Sequence, residues 1–173
     1  MNFRPAPDHS LCFHCRLPVP DNADFPVKLD GKIKATCCAG CQAVAQTIID
    51  SGLGDYYLHR QNSAEKVKPL ADELLQQLKL YDDEEIQKSF VLNESAEIRE
   101  AALILEGITC AACIWLNERH LSHLNGVLSA DINYTSHRAR VRWDNTQITL
   151  SQILEAISAI GYRAHPFDAA KQE

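Results

Sequence analysis

Long apolar runs and an excess of basic charge are both absent from this sequence. No stretch approaches the roughly 20 consecutive apolar residues that cross a bilayer, and the N-terminus lacks the apolar segment of a secretory signal. The 17 basic residues are outnumbered by 23 acidic ones, which gives a net charge of −6. Because nucleic acid and anionic lipid both attract basic surfaces, we expect neither as a partner, and we expect a soluble cytoplasmic segment.

Cysteine, in contrast, is abundant and clustered. The seven cysteines form three groups: Cys12 with Cys15, then Cys37, Cys38 and Cys41, and finally Cys110 with Cys113. In a reducing compartment such spacings indicate metal sites or redox sites rather than a disulfide framework. The function of the chain therefore depends on what each group of cysteines can bind.

The last third of the chain has an orderly alternation of strand and helix patterns. The predicted order is a strand at 101–106, a helix at 112–124, strands at 127–134 and 138–143, a helix at 150–160 and a strand at 162–167. This βαββαβ order is the ferredoxin-like arrangement. We place this domain at residues 99–168, after a polar stretch at 94–100, with a short tail at 169–173.

The preceding part of the chain is too small and turn-rich to form a large core. Residues 1–58 contain five cysteines, and their spacing predicts a small module of the zinc-ribbon or treble-clef kind that needs a metal for stability. Residues 59–98 are predicted to be a helical linker, with an apolar stripe of Leu70, Leu74, Leu75 and Leu78. The overall fold class is α+β.

Cys110 and Cys113 are predicted to bind one Cu(I) ion. Gly107 permits a sharp turn at the end of a strand, and Cys113 would lie in the first turn of a helix, where backbone N–H groups favour thiolate. Two soft thiolates suit Cu(I), whereas Zn(II) requires four ligands. A thioredoxin-like redox pair and a buried inert pair are the alternatives.

The five N-terminal cysteines offer one more sulfur than a tetrahedral site can use. Cys12, Cys15 and Cys41 are three predicted ligands, and Cys37 and Cys38 are alternatives for the fourth. Four thiolates would form a closed Zn(II) site, although copper remains an alternative metal. His14 is predicted to be a solvated turn residue.

Several residues of the last third resemble the heavy-metal-associated domain family. The stretch at 107–113 is similar to the family's Gly-Met-Thr-Cys-x-x-Cys signature, with Ile108 in place of methionine, and residues 124–127 and 160–162 continue the likeness. The resemblance implies copper binding at the two cysteines. Tyr162 corresponds to an aromatic residue beside the metal loop in ATPase modules, whereas Asn117 departs from an apolar helix position.

The N-terminal module also resembles a known domain. Cys37–Cys41 and the later Gly54–Tyr57 are similar to the metal-binding domain that precedes the heavy-metal-associated domain in the oxidase-assembly branch of copper-transporting P-type ATPases. The resemblance implies the N-terminal cytosolic part of a bacterial inner-membrane pump, which accepts, transfers or senses copper. Its implied partners are a copper chaperone and the remaining domains of the ATPase. The chain lacks the Asp-Lys-Thr-Gly-Thr phosphorylation motif, so we do not expect it to be an enzyme by itself.

Some other side chains are assigned to the surface. His120 and His123 are predicted to be exposed, and Trp115 and Leu116 fall off the predicted core face of their helix, where they would pack against the N-terminal module or an ATPase domain. The alternating arginines of the predicted strand at 138–143 form an exposed row that could dock an acidic partner. Two alternative functions remain open at this point: a thiol-disulfide oxidoreductase and a zinc-dependent structural or interaction module.

Overall fold

The computed structural model describes residues 11–67 and 71–167 of the 173-residue chain. Its elements in chain order are β1 Phe25–Leu29, β2 Lys32–Thr36, α1 Ala39–Asp50, α2 Tyr56–His59, α3 Asp72–Leu80, α4 Glu84–Gln87, β3 Val91–Asn93, β4 Ile98–Glu106, α5 Ala111–Ser122, β5 Val127–Asn133, β6 Arg138–Asp144, α6 Leu150–Ala159 and β7 Arg163–Pro166. The predicted α+β class and the βαββαβ order of the last third are confirmed.

The N-terminal module combines a cysteine knuckle, a hairpin and a helix. Strands β1 and β2 pair antiparallel around Asp30 and Gly31, which have φ values of 49° and 77°. Asp-Gly suits a hairpin turn in which both central residues have positive φ. The chain then passes directly from β2 into α1, and the side-chain amide of Gln42 donates to the Pro26 carbonyl at 2.8 Å. This order of elements is that of a treble clef, one of the two predicted forms.

The linker packs against the last helix of the chain. Leu78 of α3 is buried and Leu74 and Leu75 are partly buried, as the apolar stripe predicts, whereas Leu70 lies outside the described residues. Helix α3 contacts α6. Beyond α3, the Asp82 carboxylate accepts hydrogen bonds from the backbone N–H of Ser151 at 2.8 Å and from its hydroxyl at 2.6 Å. The linker therefore caps the N-terminus of α6 as well as covering its side.

The sheet contains one more strand than the sequence pattern predicts. Its order is β3-β4-β6-β5. Strand β7 pairs with β4 on the same edge as β3 but farther along the strand, and all of these pairs are antiparallel. Strand β3 comes from the linker that was predicted to be helical, and β4 begins at Ile98 rather than at residue 101. Glu100 belongs to the outer face of the sheet, where it lies opposite Arg142 and 3.9 Å separates their charged atoms, whereas Arg99 lies opposite the buried Trp143.

The two predicted modules share one hydrophobic core. Buried residues of α1 and α2, among them Ile48 and Tyr56, belong to the same cluster as the sheet residues Leu103 and Trp143. Helix α2 packs against α5, and α1 packs against α6. The N-terminal module is therefore part of the folded body.

The structure corrects the predictions for two residues of helix α5, Leu116 and His120. Leu116 is fully buried and does not lie off the core, and Trp115 is partly buried against the core cluster. Helix α5 is covered by the sheet on one side and in part by α2. More of its surface is therefore buried than the sheet alone would cover. His120, predicted to be exposed, is partly buried, with its Nε2 atom 3.0 Å from the carbonyl oxygen of Ala156.

We predict that Asp82→Ala lowers the free energy of unfolding by about 1–2 kcal/mol, because α6 loses an acceptor for its second N–H and a negative charge at its positive end. Asp82→Asn keeps an oxygen acceptor and should cost less. Urea unfolding, followed by the fluorescence of the buried Trp143, measures both changes. Equal stability of Asp82→Ala and the parent chain would contradict the capping role.

Candidate metal sites

Four N-terminal sulfurs come together in a compact cluster. The Sγ atoms of Cys12, Cys15, Cys37 and Cys41 all lie within 4.8 Å of one another, and all four residues are buried. The Cys15–Cys37 and Cys37–Cys41 sulfur pairs are 3.6 and 3.8 Å apart. Zn–S bonds of about 2.3 Å in a tetrahedron place the sulfurs about 3.8 Å apart. The donor set therefore fits a tetrahedral metal ion such as zinc.

Local backbone structure explains how these four sulfurs meet. The first pair lies in a tight knuckle, where the Cys12 N–H bonds the Leu17 carbonyl and the Arg16 N–H bonds the Cys12 carbonyl. Arg16 has a φ of 64°, the left-handed conformation that closes the knuckle. The second pair spans the junction of β2 and α1, because Cys37 follows the strand and Cys41 lies in the first turn of the helix.

Cys37 and Cys38, which the sequence left as alternatives, occupy different environments. Cys37 belongs to the cluster, whereas Cys38 is the N-cap of α1, and its sulfur accepts the N–H of Cys41 at 3.5 Å. Consecutive side chains of extended backbone point in opposite directions, and Cys38 has an extended φ of −162°. Cys38 is also partly exposed, unlike the other six cysteines.

The electrostatics of the cluster favour a bound cation. The hydrogen bond from Cys41 and further backbone N–H donors lower the pKa of Cys12 to about 4 despite its burial. Burial and the neighbouring sulfurs raise the pKa of Cys37 to about 12, and the pKa of Cys41 is also raised, first by its bond to Cys12 and then by burial. One thiolate thus suppresses ionisation of its neighbours, and a metal cation is what allows all four to ionise.

His14 is not the solvated turn residue that the sequence predicted. Its side chain is buried with 2% exposure, and its Nδ1 atom lies 2.9 Å from the Tyr57 hydroxyl. Burial, and next the charge of Arg60, lower the pKa of the imidazole to about 4. The sequence could not indicate this burial, because Tyr57 and Arg60 come from a different part of the chain.

The second pair of cysteines lies where β4 leads into α5. Gly107, with a φ of 94°, turns the chain after β4, and Cys110 is the extended N-cap of α5. Cys113 falls in the first turn of the helix, as predicted, and the two sulfurs are 3.8 Å apart. We call residues 107–113 the copper loop, after the metal that the sequence predicts for it.

Backbone donors surround the sulfur of Cys110. Burial raises the pKa of this thiol, but the N–H groups of Gln61, Cys113 and Ala112 together outweigh it and bring the pKa down to about 7. Two of these donors belong to the first turn of α5, where the helix dipole also favours an anion. The third, Gln61, belongs to the segment after α2 and was not foreseen from the sequence.

Aromatic side chains enclose the sulfur of Cys113. A small cavity beside it is lined by His14, Tyr56, Thr109 and Tyr162 among others. The Tyr162 hydroxyl donates to the Tyr56 hydroxyl at 3.4 Å, and the Tyr162 ring lies against Gly107. Tyr162 therefore lies beside the copper loop, as its correspondence to the family's aromatic position predicts.

Asn117, the departure from the family pattern, is fully buried one turn after Cys113. Its amide nitrogen donates to the Cys113 carbonyl at 2.9 Å, and its Oδ1 atom has no partner within the described part of the chain. The side chain thus bonds the backbone of its own helix through its amide nitrogen.

The row of arginines on β6 is largely balanced by the protein's own groups. Arg142 pairs with Glu94 and Glu100, and Arg140 pairs with Glu100. Arg138 lies over the ring of Phe167 at 3.9 Å. Docking of an acidic partner on this row stays a prediction.

Two family models match this chain. Residues 11–95 match a family described as "Putative metal-binding domain of cation transport ATPase". Residues 102–163 match the heavy-metal-associated domain. Within the described residues, no helix is both long enough and apolar enough to span a bilayer.

The most informative relatives are a small chaperone and a large pump. The copper chaperone CopZ of Staphylococcus aureus is 35% identical over 60 residues, which are 35% of this chain and 88% of that protein. The copper-exporting P-type ATPase of Staphylococcus saprophyticus is 36% identical over 76 residues, which are 44% of this chain and 9% of that protein. The chain spans between 7% and 12% of the length of its larger curated relatives.

A solved structure covers the same region. The N-terminal domain of a potential copper-translocating P-type ATPase from Bacillus subtilis, in its Cu(I)-loaded state, is 29% identical with a TM-score of 0.39, covering 40% of this chain and 86% of that one. The match to most of the chaperone's length shows that the chain belongs to the heavy-metal-associated domain family through residues 102–163.

Proposed function

We propose that this chain binds one Cu(I) ion through the thiolates of Cys110 and Cys113 and accepts or delivers it as the N-terminal cytosolic part of a copper-exporting P-type ATPase. The observation that carries the proposal is the pair of sulfurs 3.8 Å apart at the N-terminus of α5. The pair lies in a domain whose relatives include copper chaperones and copper-exporting ATPases.

The number and type of ligands support Cu(I) as the cargo. Thiolates are the soft ligands that Cu(I) prefers, and two of them leave the metal open to a third. An incoming thiolate from another protein can therefore bind before one of the two resident thiolates leaves. Copper then passes between proteins without release into solution.

The four-sulfur cluster has a different role in this proposal. Four buried thiolates close a tetrahedron and leave no position for an incoming ligand, which suits a structural Zn(II) ion. The cluster lies in a module with few apolar residues of its own, apart from those that join the shared core. A bound zinc ion would stabilise the knuckle and the start of α1.

The larger assembly belongs to the proposal as well. A copper chaperone would deliver the ion, and the remaining domains of a bacterial inner-membrane ATPase would receive it and supply ATP hydrolysis. The chain itself has the character of a binding module and not of an enzyme. A thiol-disulfide oxidoreductase and a zinc-dependent interaction module are the competing functions.

We predict that the reduced chain binds one equivalent of Cu(I) at the copper loop in competition with a Cu(I) chelator under anaerobic conditions. The double variant Cys110→Ser/Cys113→Ser should lose that equivalent, because serine oxygen is a poor ligand for a soft ion. The matched control is Cys38→Ser, which removes the partly exposed cysteine and should bind copper like the parent chain. Undiminished copper binding by the double variant would contradict the proposal, and insulin-reductase activity would favour the oxidoreductase.

We predict a clear difference between two neighbouring variants in zinc binding. Cys37→Ser should lose the zinc ion, because it removes one of the four clustered sulfurs, whereas Cys38→Ser should retain it, because that sulfur caps α1 instead. Native mass spectrometry of the zinc-loaded chains counts the bound ions. If Cys37→Ser retained the zinc ion and Cys38→Ser lost it, Cys38 would be the zinc ligand in place of Cys37.

A further inference from the structure

Both sulfurs of the copper loop are hidden, although the proposed function requires them to be reached. Cys110 and Cys113 are each only 2% exposed. Ligand exchange between proteins needs an incoming thiolate to contact the metal, so a buried pair cannot exchange in this arrangement. The structure therefore has a closed copper loop.

The cover over the loop is the segment at residues 60–67, which we call the strap. The backbone N–H of Gln61 faces the sulfur of Cys110 and lowers the pKa of that thiol. The side-chain amide of Asn62 donates to the Thr109 carbonyl at 3.2 Å, and Ala64 lines the same small cavity as Cys113. The strap contains no helix or strand, and Gln61 and Asn62 are exposed to solvent. It thus lies on the surface, directly above the loop.

Both ends of the strap are held by the N-terminal module. At one end, the Arg60 guanidinium donates to the carbonyls of Phe13 and His14 at 2.6 Å each, inside the Cys12–Cys15 knuckle. The same guanidinium lies 4.8 Å from the centre of the Tyr57 ring. These bonds tie the strap to the backbone that presents two of the clustered sulfurs.

The other end of the strap reaches the remaining sulfurs. The Val67 side chain packs against the buried cysteine cluster. The Val67 side chain lies against Gly40, where an added Cβ atom would come within 3.3 Å of it. The strap therefore contacts the four-sulfur cluster at both ends and the copper loop between them.

We propose that the strap at residues 60–67 is a displaceable cover, and that a copper-donating or copper-accepting protein must lift it to reach Cys110 and Cys113. This inference rests on the proposed function for its purpose. Because the strap is anchored at the four-sulfur cluster, a metal ion in that cluster holds the cover in place. A partner that reaches the loop competes with Gln61 and Asn62 for the same backbone and sulfur atoms.

Alkylation by N-ethylmaleimide tests the cover without using copper. The full chain is loaded with zinc and then treated with N-ethylmaleimide under reducing conditions. Mass spectrometry follows the modification of each cysteine. The central variant is Gln61→Pro, which removes the strap N–H that faces the Cys110 sulfur. Arg60, the preceding residue, already has the φ of −65° and ψ of 137° that a residue before proline adopts. The matched control is Gln61→Ala, which keeps the N–H and changes only an exposed side chain.

In the parent chain, Cys38 should react before Cys110 and Cys113. Gln61→Pro should speed modification of the latter two about tenfold, because losing a backbone donor from the strap shifts a local opening equilibrium by that order. Gln61→Ala, which keeps that donor, should leave the rate unchanged. Loss of the N–H alone would make Cys110 less ionised and slower to react. A faster rate therefore reports opening of the cover.

Equal rates in Gln61→Pro and Gln61→Ala, or a parent chain in which Cys110 reacts as fast as Cys38, would overturn the proposal. If Gln61→Pro releases zinc and exposes the four clustered cysteines, Asn62→Ala becomes the deciding variant. It removes only the bond to Thr109, so faster modification with zinc retained supports the cover and an unchanged rate contradicts it. Copper titration of the same chains tests the proposed function separately.

Discussion

Six of the seven cysteines in this chain are buried, and a buried thiolate is stable only where donors or a cation balance its charge. The copper loop meets this requirement with N–H groups from the start of α5 and from Gln61. The N-terminal cluster has too few donors for four thiolates, as the raised pKa values of Cys37 and Cys41 indicate. The two sites therefore meet the same constraint differently, with backbone donors at the copper loop and with a four-sulfur geometry suited to a cation at the cluster.

Coupling between the two sites follows from the way the modules pack. Arg60 bonds the knuckle carbonyls, and Asn62, two residues along the chain, donates to the Thr109 carbonyl of the copper loop. The layer formed by His14, Tyr56 and Tyr162 lines the space beside Cys113. Gly161, with a φ of 91°, leaves room for Val44 and His14 beside the loop after α6. A change at either sulfur site therefore acts on contacts that the other site also uses.

Local pattern was sufficient for the ferredoxin-like order and for the position of the copper loop. The alternation of Ala139, Val141 and Trp143 reports one buried sheet face, and Cys113 falls in the first turn of α5 because the helix begins directly after the cysteine that caps it. These features depend on periodicity and on capping, both of which are read from neighbouring residues.

Features that depend on contacts between distant segments could not be predicted in this way. His14 is buried by Tyr57 and Arg60, and Leu116 belongs to a helix that α2 also covers. Strand β3 exists because Val91 lies opposite Ala101 in the sheet, although its own residues give only a weak strand signal. Cys37 and Cys38 have the same side chain and adjacent positions, so only the three-dimensional path of β2 into α1 distinguishes them.

X-ray absorption spectroscopy of the chain loaded with both metals tests the central claim most directly. The copper edge should report Cu(I) with two sulfur ligands, and the zinc edge should report four sulfur ligands in the same sample. That result would assign the two-sulfur site at Cys110 and Cys113 to copper and the four-sulfur cluster to zinc. Copper with four sulfur ligands, together with zinc displaced from the protein, would contradict this assignment of the two sites.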